Sequence, residues 1–148
     1  MMEVQGNNFC LLYKDLYYCR YKGHVNDFNE LIKNLVGSIE NPNYELNPLI
    51  IMIRDIKDEV QVDLDIYISK DVTNIYPNFK YVSHFYLMPG YSVDLHPDYV
   101  VSAQMGITKL LDTLESTKSR LGSYPAFIVF GRNQKVDAKL WISIVLEG

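Results

Sequence analysis

A chain of 148 residues that is 48% hydrophobic can bury a core without disulfides or a structural metal. Its net charge of -4, with Lys and Arg scattered rather than gathered along one face, argues against nucleic acid. No apolar run approaches the ~18 residues that a membrane-spanning helix needs.

In chain order, Met1–Gln5 lacks the basic and apolar regions of a signal peptide, and Cys10 and Cys19 do not make a disulfide framework. Both features lead to the expectation of one cytoplasmic domain spanning 1–148. Phe9–Tyr13 is an apolar stretch that leads through Lys14-Asp15 into a Tyr-led strand, Tyr17–Tyr21. Phe28, Leu31, Ile32, Leu35, Val36 and Ile39 follow at helical spacing, with Asn26 as the expected cap and Asn41-Pro42 as the stop. A Pro-initiated apolar strand, Pro48–Ile53, comes next. In the strand after it, Val60, Val62, Leu64, Ile66 and Ile68 alternate with Gln61, Asp63, Asp65 and Tyr67. One face of that strand is expected to be buried and the other wet or cleft-lining, where Asp63 and Asp65 would repel each other.

After the segment 69–78 the order repeats. Val82–Leu87 leads through Met88-Pro89-Gly90 into Tyr91–Leu95. A helix is predicted to start near Pro97-Asp98, to carry Val100, Ala103, Ile107, Leu110, Leu111, Leu114 and Leu121, and to stop at Gly122. Gly106 inside it is expected where the helix crosses a neighbour closely. Pro125–Phe130 is the second Pro-initiated strand, Gly131–Lys135 a hairpin turn, and the last strand places Leu140, Ile142, Ile144 and Leu146 inward with Trp141 outward. The fold class is therefore α+β. Two tandem βαββ repeats, 8–68 and 79–147 with linker 69–78, should form a pseudo-twofold antiparallel sheet with two long helices on one face.

The second half, from Pro89-Gly90-Tyr91 through His96-Pro97-Asp98-Tyr99 to Pro125–Phe130, resembles the effector-binding fold of the GyrI-like superfamily. The resemblance implies a ligand cleft at the internal axis. Multidrug-sensing members carry a glutamate in the Pro-initiated strand of the second half, and Ile128 stands at the matching position, which argues against cationic drugs. No helix-turn-helix is read in the chain. The Asn- and Tyr-rich character also resembles the small accessory proteins encoded beside LXG-type toxins of Firmicute type VII secretion clusters. That resemblance implies binding to another protein, an exported toxin or effector, as a chaperone or targeting factor.

Chemistry-bearing patterns are sparse. Asp94, His96 and Asp98 form a D-x-H-x-D run, but without clustered His or Cys no metal site is expected. His24 reads as a pre-helix loop residue, and Cys10 and Cys19 as plain strand thiols. The expectation is a non-catalytic protein without cofactor. It should bind another protein, or alternatively a neutral or weakly polar small molecule, through Tyr17, Tyr18, Tyr21, Tyr67, Tyr91, Ile128 and Trp141. Twelve tyrosines supply the aromatic surface.

Overall fold

Alternating apolar residues make strands and the two helical-period stretches make helices, and a single antiparallel sheet collects them. The computed structural model describes residues 3–37, 49–57, 61–69, 79–95, 99–122, 125–132 and 135–145. The strands are β1 (Gln5–Asn7), β2 (Leu11–His24), β3 (Leu49–Lys57), β4 (Gln61–Ser69), β5 (Lys80–Leu87), β6 (Gly90–Leu95), β7 (Ala126–Arg132) and β8 (Lys135–Ser143). Helix α1 (Phe28–Gly37) lies between β2 and β3, and α2 (Tyr99–Ser116) between β6 and β7. Sheet order is β1-β6-β8-β7-β3-β4-β2-β5, with antiparallel pairing throughout.

The leading strands cross over. β1 pairs with β6 (Gly6 opposite Tyr91), whereas β5 pairs with β2 (Tyr13 opposite Phe85). β1 lies outside the expected elements. The expected break at Lys14-Asp15 is also absent, because Asp15 adopts φ 56 and lets β2 run on. Asp is among the residues that tolerate this conformation. In the second half the chain does break before β6. A Cβ on Gly90 would lie 1.8 Å from the Ile142 carbonyl oxygen, so only glycine fits there.

The face of the sheet that carries both helices is the main core. Phe28 and Leu35 from α1 and Ala103, Leu110 and Leu114 from α2 pack on Leu49, Ile51, Leu64, Ile66, Val93, Leu140 and Ile142. Gly106 sits where α2 crosses the sheet: a Cβ there would lie 3.0 Å from both Leu140 Cδ2 and Val93 Cγ2. The helix ends differ from expectation. His24, not Asn26, caps the 3-10 turn Val25–Asp27 before α1, its Nδ1 accepting from the Asn26 backbone N–H at 3.0 Å. Ile39 and Asn41-Pro42 lie outside the described residues.

Helix α2 stops at Ser116, well before Gly122. Lys118 takes φ 54, the Ser119 N–H donates to the Leu114 carbonyl at 2.9 Å, and the Lys118 N–H to the Glu115 carbonyl at 3.2 Å. This is the 6→1 and 5→2 pattern of a Schellman close, built on lysine instead of the expected glycine. Leu121 therefore leaves the helix and bridges to Ile144.

Candidate functional site: the helix-free face of the sheet

Period-2 alternation sends neighbouring strand residues to opposite faces. The proposed binding tyrosines consequently separate. Tyr17, Tyr21 and Tyr91 lie against the helix-side core, partly buried. Tyr18, Tyr67 and Trp141 lie on the opposite face, over which neither helix packs among the described residues. Ile128 is a β7 residue, in register with Ile50 on one side and Lys139 on the other; its side chain lies outside what is described.

The helix-free face has a small core of its own. Tyr13, Leu16, Ile50, Met52, Leu87, Ala126 and Trp141 are buried, with Leu11, Tyr67 and Phe85 partly buried against them. Trp141, expected outward, is 2% exposed. Its indole N–H donates to the Met88 carbonyl at 2.9 Å, and the Phe9 ring meets it edge-on with centroids 5.7 Å apart. An indole buried on a sheet face needs both an apolar cover and an acceptor, and these two residues supply them. Phe9 is itself 52% exposed and Met88 45%, so apolar surface continues outward over the closed Trp. Residues 70–78 of the expected linker 69–78 lie outside the described residues.

From this patch an aromatic line runs across the face. Phe85 and Tyr67 have centroids 4.4 Å apart, and Tyr67 and Tyr18 5.2 Å. The line ends on two ion pairs. Asp65, buried, accepts from the Tyr18 hydroxyl at 3.1 Å and from Arg54 Nε at 2.5 Å. Asp63 accepts from Arg20 through both oxygens, at 3.1 and 2.9 Å. Asp63 and Asp65 share a face, and their mutual repulsion is offset because each carboxylate has its own guanidinium. A bulge in β3 between Ile53 and Asp55 falls at Arg54, whose guanidinium reaches Asp65.

Electrostatics follow from this packing. Burial pushes the Tyr18 phenol above its ordinary value, and the Asp65 hydrogen bond adds to the rise. Burial also raises Tyr67 and Cys19, with the Asp65 charge contributing to both. The hydrogen bond from Arg20 holds Asp63 below the usual carboxylate range. Arg20 and Arg54 thus pair with Asp63 and Asp65, and the Cys19 thiol holds its proton more firmly than a free one.

Among the described residues no group of three metal-ligating side chains occurs. Asp94, from the D-x-H-x-D run, pairs with Lys139 at 3.8 Å, and His96 and Asp98 lie outside the described residues. His24 lines a depression of about 410 Å³ with Lys22, Gly23, Gln61, Val62 and Asp63, next to the Arg20 pair. No helix among the described residues is long and apolar enough to cross a membrane.

Sequence reasoning missed Phe9, Arg20, Arg54 and Phe85. Only the Arg20–Asp63 pairing had a signal, the opposite charges of residues on two strands of the same half, which the β2–β4 pairing brings together.

No protein-family model matches the sequence, and no curated protein matches it closely enough to count. A solved structure, the EcmrR C-terminal domain, is similar over 93% of this chain and 97% of its own, with a TM-score of 0.57 at 10% identity. That likeness is one of fold alone. A hydrolase from Listeria innocua aligns at a TM-score of 0.43 and 8% identity, over 97% and 91% of the two chains, too distant to carry an argument.

Proposed function

We propose that this chain is a non-catalytic binding protein whose contact surface for another polypeptide is the helix-free face of the sheet. One observation carries the reading. Trp141 is closed over, while Phe9 and Met88 above it are open and lead into Phe85, Tyr67, Tyr18, Arg20 and Arg54. Phe, Tyr, Met and Arg are the types enriched at protein interfaces, and Tyr in particular gives contact area at low entropic cost. The carboxylates that would attract a cationic ligand, Asp65 and Asp63, already hold arginines. An accessory role beside an exported toxin, in the cytoplasm, is the partner assignment this reading favours.

The finer architectural reading is a tandem pair of βαββ units of GyrI type. The sheet order supports it, since it reads alike from both edges once β1 is matched with β5 and each later strand with its counterpart. The fold likeness to the EcmrR C-terminal domain is consistent with it.

The test is affinity capture from the native host, with the captured complex weighed intact, run in parallel on Phe9→Ser and Arg20→Glu. A stoichiometric polypeptide held by the parent and lost from both variants, each of which still melts cooperatively, is the expected result. A single chain carrying a fixed small mass would instead establish the small-molecule alternative. Capture that survives both substitutions would place the partner elsewhere on the molecule.

A further inference from the structure

The outer edge of β5 has no strand beside it among the described residues, since β5 ends the sheet order. Eight residues, Lys80–Leu87, present that edge. Natural sheets usually guard such an edge with several charges, a proline or a very short strand, because its open backbone groups template pairing. β5 has one full charge, Lys80, and no proline. The other edge, β1, is only three residues long.

We propose that β5 pairs antiparallel with β5 of a second copy of this chain. The sequence of the strand is what selects that occupant. Its burial pattern breaks step at Ser83-His84: Val82, Phe85 and Leu87 turn inward, while Tyr81 and Tyr86 are 56% and 55% exposed. The packing agrees. Phe85 and Leu87 join the helix-free core, whereas Tyr81 meets Tyr17, a residue of the helix-side core, with centroids 5.7 Å apart.

A regular strand cannot pair with its own copy about a point between two residues, because paired residues would then sit on opposite faces. The break in step removes that obstacle. With the twofold axis between Ser83 and His84, Val82 meets Phe85 of the second copy on the helix-free face, and Tyr81 meets Tyr86 on the other. Each contact occurs twice, as an isologous interface requires. Aromatic and β-branched cross-strand pairs of this kind are favourable, and no like charges face each other in this register. The inference goes beyond the partner-binding reading; the two share only Phe85 and are tested by different substitutions, so either can fail alone.

The experiment is the mass of the purified chain by light scattering over a wide concentration range, beside Ser83→Lys/Tyr86→Lys. Both substitutions are at exposed positions and install the edge lysines that β5 lacks. The expected result is two chains per particle for the parent and one for the variant, with the same melting temperature. A parent that stays at one chain at every concentration overturns the proposal, and so does a variant that stays at two. Should the variant fail to fold, Tyr81→Cys/Tyr86→Cys in a Cys10→Ser background decides the matter. Oxidation should then link two chains through 81 and 86, and a chain that remains unlinked overturns the pairing.

Discussion

Single side chains on the helix-free face set its stability and its response to pH. Trp141 fills that small core and spends its one donor on Met88, so Trp141→Ala should cost about 3–5 kcal/mol, read by chemical denaturation. A loss below 1 kcal/mol would show the cluster to be loosely packed. Asp65→Asn leaves Arg54 and the Tyr18 hydroxyl without their charged acceptor and should cost about 1.5–3 kcal/mol. It should also lower the Tyr18 phenol toward its ordinary value, visible in an ultraviolet titration. The raised groups fix the sign in alkali. Cys19, Tyr18 and Tyr67 hold their protons more firmly folded than unfolded. Their contribution is whole below the unfolded values, about 8.5 for Cys and 10 for Tyr, and is lost as pH rises through the folded ones. Unfolding midpoints should therefore fall above about pH 9, less so in Asp65→Asn. Asp63 works the other way: its contribution is present above about pH 4 and disappears as acid takes it through its lowered folded value.

Elements were legible wherever periodicity was strong. The apolar positions of α2 and the alternation of β4 gave those elements directly, and Gly106 marked the crossing that the packing contains. Gly106→Val should destabilise by about 1–3 kcal/mol, since the added methyls meet Leu140 and Val93 side chains that already fill the space. Gly90→Ala should be far worse, on the order of 4 kcal/mol or outright failure to fold, because the obstacle is the Ile142 carbonyl. What escaped the sequence were features decided by three-dimensional neighbours. Lys118 in a left-handed close carries no composition signal, and β1 is too short for alternation to show. Tyr17 and Tyr18 illustrate the same limit at the site. Adjacent letters in a strand look like one patch, yet the pleat sends them to different faces, so a list of tyrosines could not be a surface until the sheet was known. Burial of Asp65 is likewise a property of its neighbours on β2 and β3.

At the scale of the molecule the two halves depend on each other through β1 and β5. Asn7, in β1, donates its side-chain N–H to the Ser92 hydroxyl at 2.9 Å across a sequence separation of 85, and β5 covers the outer side of β2 for seven paired residues. Neither half should therefore fold alone. Residues 1–69 and 70–148 expressed separately are expected to lack cooperative melting and to recover it when mixed. A cooperative transition in an isolated half would refute the dependence.

That crossing of the leading strands also sets a timetable for biosynthesis. When the ribosome has delivered residues 1–69, β2 stands with its outer side open and β1 has no strand to join. Both wait for Lys80–Leu95. During that interval the nascent chain exposes Leu16, Tyr17 and Tyr18 along an unprotected border, the kind of surface that aggregates or recruits a chaperone. Pauses in translation placed before residue 80 should therefore harm yield more than pauses placed after residue 95.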